Sequence, residues 1–98
     1  MHAKVHSDGT NSVLAVCDSA LLGKTLAEGK IEFCVSESFY AGEEIEREKL
    51  LELLEEHDNI NLVGTECVNA ALEKGLISKK SIIRIGGVPH AQVFKINI

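Results

Sequence analysis

Apolar and polar residues alternate near both ends of the chain and follow a helical period between them. His2 to His6 alternates, and so does Ser12 to Cys17. Asp8-Gly9 lies between these β-type runs and signals a hairpin. Lys30 to Val35 alternates again, with Ile31, Phe33 and Val35 on one face, and predicts a third strand. Before it, Asp18 or Ser19 is placed to cap a short turn through Ala20-Leu21-Leu22, which Gly23 would end. Ser36 to Gly42 reads as a loop carrying Phe39 and Tyr40.

The helical period is clearest from Glu46 to His57. Leu50, Leu53 and Leu54, with Leu51 beside them, form an apolar stripe, and acids occupy the opposite side. The start, Ile45-Glu46-Arg47, offers no Asp or Ser cap. Asp58-Asn59 breaks the helix, and Ile60-Asn61-Leu62 leads to a second one near 64–74. There Val68, Ala71 and Leu72 point inward and Gly75 stands just past the end. Two last strands are expected near 81–86 and 91–97. They flank a loop, Gly86-Gly87-Val88-Pro89-His90, that holds the chain's one proline.

The predicted order is β-β-β-α-α-β-β. Strands grouped at both ends with helices between them indicate one α+β domain over 1–98. The expected form is a two-layer sandwich, with a largely antiparallel sheet and two helices packed on one face.

Charge changes the picture only when it is read locally. The chain of 98 residues carries a formal net charge of −5. Residues 43–58 hold eight acids and two bases, so the rest sums to +1. From Lys74 onward there are five bases (Lys74, Lys79, Lys80, Arg84, Lys95) and no acid. An acidic helix and a basic final quarter bear on partners, not on fold. No apolar run approaches the ~18 residues that suggest a membrane span. The start, Met1 to His6, runs straight into a strand pattern, so no signal peptide is expected. Cys17, Cys34 and Cys67 lack Cys-x-x-Cys spacing and predict buried thiols in a reducing, cytoplasmic setting.

The Gly86–His90 loop is the leading candidate for chemistry. Paired glycines expose backbone N–H groups, and Arg84, His90 and Gln92 surround them. Together these groups suit a phosphate or carboxylate. The bland alternative is a tight hairpin that needs glycine geometry. Leu22-Gly23-Lys24-Thr25 evokes a nucleotide loop, but Asp18 stands where that motif needs glycine. Lys24 remains a candidate phosphate contact. His2 and His6 share a strand face about 13 Å apart, too far for one metal, and no metal or cofactor is assigned. The cysteines fit small buried hydrophobes better than nucleophiles, and no catalytic residue is assigned. Phe39 and Tyr40 would stack RNA bases if exposed; core edge is the simpler expectation for both.

Four segments together carry a family resemblance. Cys17-Asp-Ser-Ala-Leu-Leu-Gly-Lys24, Phe39-Tyr-Ala-Gly-Glu43, Asn61-Leu-Val-Gly64 and Arg84-Ile-Gly-Gly-Val-Pro-His-Ala-Gln92 closely resemble the archaeal domain-of-unknown-function family number 424. The likeness runs almost end to end. It implies a small cytoplasmic archaeal protein with an α+β fold, no established enzyme activity, and an association with translation.

The function expected is therefore non-catalytic binding of RNA or of the translation apparatus. Lys74, Lys79, Lys80 and Lys95 would contact phosphates. Arg84, Gly86, Gly87, His90, Gln92 and Lys24 would supply ligand or anion contacts. Two alternatives remain: a protein–protein adaptor through the acidic helix 46–57, and a small enzyme or metabolite binder using His90 with Arg84. A homodimer is compatible with exposed sheet edges.

Overall fold

Leu14, Ala15, Val16 and Cys17 are buried on both sides of their strand, so this run must lie between two covering layers. The computed structural model describes residues 1–96; Asn97, the last position of the expected final strand, lies outside them. In chain order the elements are β1 (His2–Asp8), β2 (Asn11–Cys17), β3 (Thr25–Glu28), β4 (Ile31–Cys34), the single-turn α1 (Glu37–Tyr40), β5 (Glu43–Glu44), α2 (Arg47–Glu56), β6 (Asn59–Val63), α3 (Thr65–Glu73), β7 (Ile83–Ile85) and β8 (Val88–Phe94). Short 3₁₀ turns cover Ser19–Leu21 and Lys79–Ser81.

Six strands form one sheet in the order β5-β1-β2-β6-β8-β7, and β3-β4 form a separate hairpin. The class is α+β, as the pattern predicts. The strand order differs in three ways. Glu43–Glu44 adds a short edge strand, β5, paired with β1. Ile60-Asn61-Leu62 is not a connection between helices but the core of β6, a central strand. It runs parallel to β2, with Leu14 opposite Ile60 and Cys17 opposite Val63. Residues 25–28, whose pattern predicts no element, pair with 31–34 as the first arm of the hairpin. Every other pairing in the six-stranded sheet is antiparallel.

Strand alternation sorts the side chains onto two faces. On one face Leu14, Val16, Ile60, Leu62, Ala91 and Val93 meet Leu50 and Leu54 of α2 and Cys67, Val68, Ala70 and Ala71 of α3. These helices pack on the face that the sequence pattern assigns them. The opposite face is covered at one end by the hairpin and α1, where Val35 and Tyr40 close over Ala15, Cys17 and Val63. The molecule therefore has a partial third layer beyond the expected two.

Asp18 has an unexpected duty. It does not cap the 3₁₀ turn beside it through its side chain. Instead its carboxylate accepts from the backbone N–H of Glu66 at 2.9 Å and of Cys67 at 3.1 Å, capping α3 from 48 residues away. Gly64, at φ 117°, makes room for it: a Cβ there would lie 2.3 Å from the Asp18 carboxyl carbon.

Candidate functional site

The Gly86-Gly87 pair is a two-residue hairpin turn. Ile85 pairs with Val88 across it, and both glycines have positive φ, 58° and 80°. That combination is the geometry that matches hairpin twist, and it favours glycine. The expected loop over 86–90 is thus shorter than its sequence suggests. Val88, Pro89 and His90 already belong to β8. Pro89 fits there because its carbonyl alone is needed, accepting the Gly64 N–H at 2.9 Å.

The turn is also occupied from within. The Gly86 N–H donates to Glu28 Oε1 at 3.2 Å, so a carboxylate of this chain sits where an external anion was expected. A Cβ on Gly86 would approach the Ala27 carbonyl oxygen to 2.9 Å, which adds a packing reason for glycine. Gly87 is exposed, and its carbonyl accepts from Arg84 Nη1 at 3.3 Å.

Arg84, His90 and Gln92 do not converge. Arg84 pairs with Pro89 and faces the helices beside α3; His90 and Gln92 face the opposite side of the sheet. His90 packs on Phe33 with ring centroids 5.1 Å apart. Desolvation pushes its pKa below the usual 6.5. Its Nε2 is closed off from solvent without a partner among the described residues. Gln92 is exposed opposite Asn61. Lys24 is exposed four residues before Glu28, about 13 Å along an extended strand.

The five bases of the last quarter separate into two groups. Lys74 Nζ bonds Glu55 Oε1 at 2.6 Å, and this lowers the Glu55 pKa through the hydrogen bond and the charge. Lys95 Nζ reaches the Leu54 carbonyl at 2.5 Å and the Glu55 carbonyl at 3.3 Å, closing the C-terminal end of α2. Neither of these two is a free phosphate contact. Lys79, Lys80 and Arg84 remain exposed along the β7 edge of the sheet. Lys79 and Arg84 line a groove of about 390 Å³ with Asn69, Leu72 and Ile82, and among the described residues no carboxylate lines it.

The thiols differ from one another. Cys17 and Cys67 are buried, whereas Cys34 is exposed, against the expectation of three buried thiols. Burial, with Asp18 nearby, pushes Cys17 up to about 11 and Cys67 well above its usual value. The start of α3 therefore does not stabilise a thiolate at Cys67, because the Asp18 carboxylate already occupies it. Among the described residues no group of three His, Cys, Asp or Glu side chains is placed to hold a metal, and no helix is long and apolar enough to cross a membrane.

Aromatic placement also departs from a stacking platform at 39–40. Tyr40 is buried and its hydroxyl donates to Asn61 Oδ1 at 2.5 Å. Phe39 stacks on His6 with centroids 4.6 Å apart. The free ring is Phe94, 73% exposed at the end of β8. A strand signal was available for it, since alternation puts Phe94 opposite the inward Ala91 and Val93.

With the segments quoted above now assembled in space, their roles are plain. Asp18 meets Gly64, Gly42 crosses β1 so closely that a Cβ would lie 2.3 Å from the Ala3 carbonyl oxygen, and Gly86-Gly87 turns against β3. The family model described as "Protein of unknown function (DUF424)" matches residues 5–96. The chain belongs to the DUF424 family. A solved structure with the same fold is that of an uncharacterized conserved protein from Methanopyrus kandleri, an archaeon. It is 29% identical, has a TM-score of 0.77, and covers 99% of this chain and 95% of the other. No curated protein matches the chain significantly. Within this DUF424 chain, the segments that carry the likeness thus hold strand, turn and cap geometry.

Proposed function

We propose that this DUF424 protein is a non-catalytic binding protein that contacts single-stranded RNA through the β7 edge, in keeping with a role around translation. The carrying observation is the groove lined by Lys79 and Arg84, with Lys80 exposed beside it and no carboxylate among the described residues that line it. Cations that neutralise phosphates dominate such binding and make it salt-dependent. The contact set is smaller than composition suggests, because Lys74 and Lys95 are tied to α2. A net charge of −5 further disfavours indiscriminate binding.

A metabolite-binding site built from His90 and Arg84 has no geometric support. The two side chains lie on opposite sides of the sheet. The buried cysteines, held as thiols, also make poor nucleophiles.

The test is binding of a fluorescent single-stranded RNA oligonucleotide over a range of salt. Affinity should fall with salt, and Arg84→Ala and Lys79→Ala should each reduce the logarithmic slope by about one. Lys74→Ala should leave the slope unchanged. RNA binding with an unaltered slope in Arg84→Ala and Lys79→Ala would remove the groove from the account.

A further inference from the structure

Cations alone do not account for the groove at the β7 edge, because its floor is apolar. Leu72 of α3 and Ile82, just before β7, pack against the core on one side and line the groove on the other, each half-buried. A phosphate covers no apolar surface, and leaving two aliphatic side chains to water is unfavourable. We propose, resting on the RNA reading, that the groove takes one unstacked adenine nucleotide, its base on Leu72 and Ile82 and the edge of that base on Asn69.

Size and charge both suit a single nucleotide. The groove encloses about 390 Å³, toward the lower end of small-molecule sites, which run from about 300 to 1,000 Å³. Lys79 and Arg84 stand exposed in the lining, and among the described residues no carboxylate joins them. Arg84 Nη1 reaches the Gly87 carbonyl at 3.3 Å, which ties one side of the guanidinium to the turn. Its remaining donors are left for phosphate oxygens, and Lys79 adds a second positive charge.

The choice of base follows from Asn69. An unstacked base is recognised by a face that rests on a side chain and an edge that hydrogen-bonds. Asn69 stands three residues before Leu72 on α3, so the two share one side of the helix, and Asn69 is exposed. Its carboxamide offers a donor beside an acceptor. Adenine answers that pair on both of its edges, through N6 with N7 and through N6 with N1. Guanine, cytosine and uracil answer it on one edge only. The larger face of a purine also covers more of the Leu72–Ile82 floor than a pyrimidine does.

The probe is a fluorescent five-nucleotide oligouridylate with one central adenine. The all-uridine oligomer is the control, and each is titrated with the full chain over a range of salt. The adenine-bearing oligomer should bind about five- to tenfold more tightly. Asn69→Ala should abolish that gap and leave the salt slope unchanged, because no charge is removed. Lys79→Ala should lower the slope for both oligomers and keep the gap. Both residues are exposed, so their variants should fold. Equal binding of the two oligomers, with slopes that still respond to Lys79→Ala, would overturn the adenine site and leave the RNA reading standing. A gap that survives Asn69→Ala would do the same. 5′-AMP, with a single phosphate, should compete only weakly. AMP that binds while neither oligomer does would keep the adenine site and overturn the RNA reading instead. Binding of neither the oligomers nor AMP would overturn both.

Discussion

The two faces of the central sheet are built by different rules. The helix face is closed along its length by α2 and α3, and its buried residues are apolar: Leu14, Val16, Leu50, Leu54, Ile60 and Leu62. The other face is closed only at one end, by a two-stranded hairpin and one helical turn, and polar groups are built into it. Tyr40 bonds Asn61 there, His90 is desolvated against Phe33, and His2 Nδ1 is buried without a described partner. A face that two amphipathic helices cover needs only apolar volume. A face that a small hairpin covers must satisfy or tolerate whatever polar atoms it traps.

The comparison breaks most visibly through cavity formation. Leu54 is fully buried between α2 and the sheet. Leu54→Ala should cost about 2–5 kcal/mol, read as a lower denaturation midpoint with little change in slope. A loss below about 1 kcal/mol would mean that α2 is not held as described. The polar face should give less. Tyr40→Phe removes the donor to Asn61 Oδ1 and should cost about 1–3 kcal/mol. If Tyr40→Phe were neutral, the Tyr40–Asn61 bond would contribute nothing and the two faces would differ only in composition.

The smallest effect is one of pH, and it belongs to the polar face alone. Burial lowers the His90 pKa below 6.5, so the folded state binds this proton less readily than the unfolded chain does. His90 therefore carries no penalty above pH 6.5. Stability is lost as pH falls from 6.5 toward the lower folded value. Denaturation midpoints measured across that window should decline in the wild type and decline less in His90→Gln. Parallel declines would show that His90 is not the group responsible.

The same contrast explains what could be read from the sequence. Helical periodicity located α2 through Leu50, Leu53 and Leu54, and alternation located β1, β2 and the hairpin strand around Phe33. Asn59–Val63 escaped because five residues carry too little pattern to separate a buried strand from a link between helices. Residues 25–28 escaped because only Leu26 among them is partly buried, leaving no alternation to see. The candidate site failed for a related reason. Gly86, His90 and Arg84 are close in sequence, but strand alternation sends Arg84 and His90 to opposite faces. Lys74 and Lys95 look like free charges in a basic segment, yet α2 claims both. Asp18 and Gly64 are 46 positions apart, and no local signal joins a cap to a helix at that separation.

The most direct test of the account is a map of where RNA touches the protein. A ¹⁵N-labelled sample titrated with a single-stranded RNA oligonucleotide should shift the amides of Asn69, Leu72, Lys79, Lys80, Ile82 and Arg84. Lys24, Lys74 and the acidic helix should stay unmoved. Shifts scattered over the surface, or centred on Lys24 and the Glu28 side of the turn, would contradict the assignment of the β7 edge as the RNA-binding surface.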